Sequence, residues 1–135
     1  MSLLTWHHKY AVGVKALDHH RNIFIDVLNE LHAAMMRGKA QSVTGPLLLK
    51  LKDHAQNHHS TEERILESAK YPGLFQHRER HREFARKLEE FERRHKQSDS
   101  TMYVQLLHFL RDWLDDHMLK EDQHFRPCLN ELGID

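Results

Sequence analysis

Apolar residues recur at three-four spacing along four stretches of the chain, and each stretch is bounded by residues that stop a helix. From about Asp18 to Arg37 the positions Ile23, Phe24, Val27, Leu31, Ala34 and Met35 form one stripe, and Gly38 supplies a stop. Thr44-Gly45-Pro46 opens a second helix, with proline tolerated in a first turn, and Leu47, Leu51, Ile65 and Ala69 hold the period up to Tyr71-Pro72-Gly73. A third runs from about Leu74 to His95, with Leu74, Phe84, Leu88 and Phe91 between densely charged flanks. After the turn Gln97-Ser98-Asp99-Ser100, a fourth begins near Thr101 and carries Tyr103, Leu106, Leu107, Leu110, Trp113 and Leu114. Short links between long helices favour antiparallel neighbours, so the pattern predicts an all-α, up-down-up-down four-helix bundle. Sustained alternation of the kind strands need is missing, as are internal repeats. The expected organisation is one domain over 1–135: a non-periodic N-terminal arm at 1–17 with Trp6 and Tyr10, the bundle over about 18–121, and a segment from about 122 that ends in a short helix.

The stripes are interrupted by residues that do not belong on an apolar face. His20 extends the first stripe by a turn; His54, His58 and Glu62 continue the second; His77 and His81 sit in the third; His117 closes the fourth. Residues four apart on a helix are separated by ~40° and ~6 Å, so His58 with Glu62, and His77 with His81, each present two ligands on one face. A lone histidine on such a face is commonly a core residue with a satisfied hydrogen bond. Two paired sets are different, because each buried polar group left unpartnered costs about 1–3 kcal/mol, and a metal ion removes that cost. Asp122 lies five residues after His117, ~140° around a regular helix, so the two can share a site only if the fourth helix stops or kinks near 117–122. Pro127 makes such a break reasonable.

Composition sharpens this picture in three places. Fourteen histidines in 135 residues are far above ordinary usage, which fits several acting as ligands. Twenty basic residues balance twenty acidic ones without a segregated block, so the field that draws a protein onto nucleic acid or anionic lipid is missing, and a small neutral ligand suits the surface better. The single cysteine, Cys128, excludes an internal disulfide or an Fe–S cluster and reads as a small apolar filler; with no basic, then apolar leader at the start and no membrane-length run, a cytoplasmic location is expected.

His20, His58, His77, His81, His117, Glu62 and Asp122 make seven candidate metal ligands. One tetrahedral zinc needs four. Seven suit two six-coordinate first-row ions if both carboxylates bridge, and imidazole with carboxylate suits iron. A ferritin-like oxidase site would need Glu-x-x-His on two helices with companion carboxylates. Glu92-Arg-Arg-His95 and Glu121-Asp-Gln-His124 match that string superficially, at helix ends and without the companions. No nucleophile–base set or phosphate-binding glycine loop suggests another enzyme.

The ordered set Asp18…His20, His58…Glu62-Glu63, Tyr71-Pro72, His77…His81 and Trp113-Leu114…His117…Asp122 resembles the hemerythrin family, specifically its single-domain bacterial members. The resemblance implies a non-enzymatic dioxygen-binding protein with two iron ions, one held by His77, His81 and His117 and the other by His20 and His58. Glu62 and Asp122, with an oxo or hydroxo group, would bridge them. It further implies an oxygen pocket walled by Ile23, His59, Trp113, Leu114 and Met118. Reversible oxygen binding for transport or storage follows, with an oxygen-consuming client as a partner; an oxygen or redox sensor using the same site is the alternative. Such sensors are commonly fused to signalling domains, which this sequence does not carry. The charged outer faces permit a monomer. Two departures stand out. One residue rather than two separates Asp18 from His20, which makes His19 a rival ligand, and His59 stands where the family commonly has phenylalanine. Either His59 makes the pocket more polar or it turns to solvent.

Overall fold

A computed structural model describes residues 15–121, 124, 127–129 and 133. Four long helices follow in order: α1 at Lys15–Met36, α2 at Ala40–Ser68, α3 at Leu74–Lys96 and α4 at Met102–Trp113, the last running on as a π-helical segment at Leu114–Glu121. Helix α1 packs on α2, α2 on α3, α3 on α4 and α4 back on α1. Chain neighbours are thus space neighbours, as the short links demanded.

The core is a column of Phe24, Leu28, Leu31, Leu48, Leu51, Phe84, Leu88, Phe91, Met102, Leu106 and Leu110, all nearly water-free. At about 1.5–3 kcal/mol for each fully buried Leu or Phe, this column carries most of the driving force. It fills the end of the bundle where α1 finishes, α2 begins, α3 finishes and α4 begins. The opposite end, where α2 and α4 finish and α1 and α3 start, is left to the polar residues of the four stripes. A smaller cluster of Leu66, Ala69 and Leu129 ties the C-terminal segment to the end of α2. Residues 127–129 are helical there, in line with the expected short last helix.

Three boundaries differ from the sequence expectation. Helix α1 starts at Lys15, so the expected arm is at least three residues shorter; residues 1–14 lie outside the described set. Helix α2 starts at Ala40 instead of at Thr44-Gly45-Pro46, and Pro46 sits inside it. Proline removes one backbone bond there, but Ala40 and Val43 pack on the core and Thr44 is fully buried, which holds the turns before it. The fourth helix widens where a stop or kink was expected. In a π-helix each N–H reaches five residues back, so groups five apart come to lie one above the other. That is the change of phase the spacing from His117 to Asp122 requires, although Asp122 itself lies outside the described residues.

The three links share one chemistry. Helix α1 ends with Gly38 in the left-handed region at φ +68°, the Gly38 N–H bonded to the Met35 carbonyl at 3.1 Å and that of Lys39 to the Ala34 carbonyl at 2.8 Å. The same pair of bonds closes α2 through Lys70 (φ 54°) and α3 through Ser98 (φ 57°), where a side chain makes this conformation unfavourable. Lys70→Gly and Ser98→Gly are therefore each expected to stabilise the fold by about 0.5–1 kcal/mol in urea unfolding, additively. The start of α4 is held by Asp99, whose carboxylate accepts from Thr101 Oγ1 at 2.7 Å, from the Thr101 backbone N–H at 3.0 Å and from Arg94 Nε at 2.8 Å. Those bonds lower its pKa from 3.8 to about 2. A carboxyl depressed in the folded state adds stability above its unfolded pKa and loses it as pH falls through the folded one. Asp99→Asn is expected to destabilise the chain near neutrality, and the difference from wild type should close as pH drops from about 4 to about 2. Denaturant midpoints at stepped pH measure it.

Candidate metal centre

Helix α2 brings His58 and Glu62 to the polar end of the bundle one turn apart, α3 brings His77 and His81 in its first turns, and the π-helical segment brings His117. All five are at most 4% exposed. Glu62, His77, His81 and His117 each direct one ligand atom into a common space, with those atoms within 4.8 Å of one another. Glu62 Oε1 contacts His77 Nε2, lies 3.3 Å from His81 Nε2 and 3.9 Å from His117 Nε2; Oε2 faces the other way, 3.5 Å from His58 Nε2. His81 and His117 approach each other at 3.1 Å, Nε2 to Nε2.

His20 is half-buried on α1 and joins from the His58 side. Its Nδ1 lies 3.1 Å from His58 Nδ1, and its backbone carbonyl accepts a 2.8 Å bond from His54 Nε2. The His54 ring in turn stacks on His58 at 6.0 Å, so His54 braces both. His19 is exposed with its ring 6.1 Å from that of His20, whereas His20 is the member of the pair that reaches His58.

Burial decides the charge of most of these groups. It carries His58 down to about 3, with Arg21 adding to the effect against Glu62, and it holds His117 and His59 well below the usual histidine range. Burial thus disfavours protonation of these rings, which favours a lone pair free to offer. For Glu62 burial acts upward, but hydrogen bonds from His77 and His81 outweigh it and hold the carboxyl ionised. His81 is the exception: burial is opposed by bonds to Glu62 and Glu63, and its pKa rises. The His81 Nδ1–H donates to Glu63 Oε2 at 2.8 Å, and Glu63 is itself bonded to Arg78 Nε at 3.2 Å. That chain fixes the ring so that Nε2 faces the cluster, the carboxylate–histidine arrangement common around metals.

The expected pocket residues divide. Trp113 stacks on His117 with centroids 4.0 Å apart at 15°, and packs on Phe84 at 4.5 Å. His59 is buried, with its ring face to face on His81 at 3.7 Å and 4°, so it turns inward and away from solvent. Leu114 is fully buried in the main core, Ile23 is only half-buried, and the Met118 side chain lies outside the described residues. A surface groove of about 670 Å³, lined by Phe75, Phe109, Trp113 and His117 with a mostly acidic rim, reaches the cluster from outside. Of the ferritin-like strings, Glu92 pairs with Lys52 and His95 faces Tyr103 at the opposite end of the bundle. Sequence reading passed over Arg21, 1% exposed and 4.0 Å from Glu62 Oε2. Its signal was positional: Arg21 falls three and four residues before Phe24 and Ile25, on the inward stripe.

Residues 12–129 match the Hemerythrin HHE cation binding domain. The bacteriohemerythrin of Clostridium acetobutylicum is 27% identical over 91% of this chain and 98% of its own, and that of Methylococcus capsulatus is 27% identical over 96% and 99%. Among solved structures, wild-type hemerythrin superposes with a TM-score of 0.84 at 25% identity, covering 95% of this chain and 98% of that one, and a single-substitution mutant of hemerythrin gives 0.85. Helical order, closed ring of packing, buried histidine–glutamate cluster and domain match agree, and the chain belongs to the hemerythrin family.

Proposed function

We propose that the chain binds dioxygen reversibly at a non-haem di-iron centre, in oxygen transport or storage. The observation that carries this reading is the position of Glu62. A fully buried carboxylate with Oε1 turned to three histidines and Oε2 to a fourth is disposed to bridge two cations, and Oε2 has no hydrogen-bond partner among the described residues. An anionic oxygen at 0% exposure without a hydrogen bond fits a cation beside it, as do the imidazoles of His58 and His117, whose charged form burial disfavours. One ion would be held by His77, His81 and His117, the other by His20 and His58, with Asp122 as the second bridge. Iron bound there would supply a redox couple and an open coordination position for oxygen.

The chain's own part is orientation and exclusion of water. Glu63 sets the tautomer of His81, His54 braces His20 and His58, and Trp113, stacked on His117 and backed by Phe84, covers the ligand set on the groove side. His59, Trp113, Leu114, Ile23 and Met118 would wall the oxygen pocket. Dioxygen is small and neutral, which suits a groove with an apolar floor and needs no charge attraction.

Anaerobic titration of the reduced, iron-loaded protein with oxygen, followed by argon purging, tests the reading. A visible charge-transfer band that rises with oxygen and fades on purging is expected; irreversible oxidation with oxygen consumed would replace binding by turnover. Glu63→Ala is expected to weaken divalent-metal affinity about 10–100-fold with helix content retained, measured by competition against a chromophoric chelator.

A further inference from the structure

Arg21 is the largest buried side chain whose charge the metal reading does not use. It sits on α1 directly after His20, points into the bundle, is 1% exposed, and brings Nη2 to 4.0 Å from Glu62 Oε2, the oxygen that faces His58. A guanidinium does not lose its proton in a protein, so this is a permanent positive charge held in a low-dielectric interior. Structural economy does not explain it: a buried ion pair is no more stable than apolar residues of the same volume, and the apolar stripe of α1 would have accepted one.

We propose that Arg21 is a fixed internal cation that sets the charge of the metal centre, weakening its hold on cations and biasing bound redox-active metal toward the reduced state. The inference rests on the metal site proposed above. Glu62 and Asp122 would bring two negative charges to it, and Arg21 cancels one. A positive charge a few ångströms from a metal ion opposes any further gain of positive charge, at an effective dielectric far below that of water. Oxidation is such a gain, so the reduced state is favoured and the reduction potential is raised. The same charge favours an electron-rich ligand over a neutral one once it is bound.

A merely structural role predicts the opposite sign. If Arg21 only held Glu62 in place, removing it would misplace the carboxylate and weaken metal binding. Competition titrations of the metal-free protein with Zn²⁺ against a chromophoric chelator separate the two, using wild type, Arg21→Lys and Arg21→Gln. The expected result is that Arg21→Gln binds Zn²⁺ about tenfold or more tightly than wild type, while Arg21→Lys, which keeps the charge, stays close to it. In the iron-loaded protein the midpoint potential should fall in Arg21→Gln and hold in Arg21→Lys. Equal or weaker Zn²⁺ binding by Arg21→Gln overturns the inference, as does a lysine variant that behaves like the glutamine one. If Arg21→Gln does not fold, Arg21→Met carries the same comparison with an apolar stem. A wild type that binds no divalent ion would instead remove the metal site itself, a result distinguishable from the failure of Arg21 alone.

Discussion

Everything at the polar end of this bundle answers to one constraint, an ionised carboxylate with no access to water. Moving a charge of that kind out of solvent costs several kcal/mol after all relaxation, and the fold keeps it only by surrounding it with compensation. Histidines from three elements converge on Glu62, and an arginine approaches from the fourth. Any one of these contacts could be lost from a surface without consequence. Here all but the His58 contact fix how closely two helices approach, because those donors sit on helices other than that of Glu62 and the acceptor is shared.

The constraint also explains the division of labour along the helices. The apolar column at one end needs only volume and period, which many residue combinations satisfy. The polar end needs specific atoms in specific places, and the helices supply them by register: His58 and Glu62 one turn apart, His77 and His81 one turn apart, and His59 laid flat on His81. Stability and chemistry are thus drawn from opposite ends of the same four helices, so the apolar end can be optimised without moving the ligands.

Periodicity made much of this legible in the residues alone. The four stripes predicted the helices to within a few residues, and the interruptions in those stripes pointed to the histidines and the glutamate that the fold gathers. What escaped was of three kinds. Helix starts depend on packing of residues such as Ala40 and Val43, which propensity around Pro46 does not reveal. Arg21 was hidden because a charged residue is read as solvent-facing by default, although its register with Phe24 placed it inside. The orientation of His20 toward His58, and the inward stack of His59, depend on ring rotations that no one-dimensional pattern carries.

The π-helical segment at Leu114–Glu121 has a bearing on how such a chain can change over generations. A regular helix over this stretch would need one residue fewer to reach the same height, and it would present everything after His117 at a different angle. The length of the segment is therefore as specific as its residue types. A single-codon deletion outside His117 would keep that ligand-type side chain yet let the stretch close as a regular helix, removing the widening that sets the phase of the residues after it.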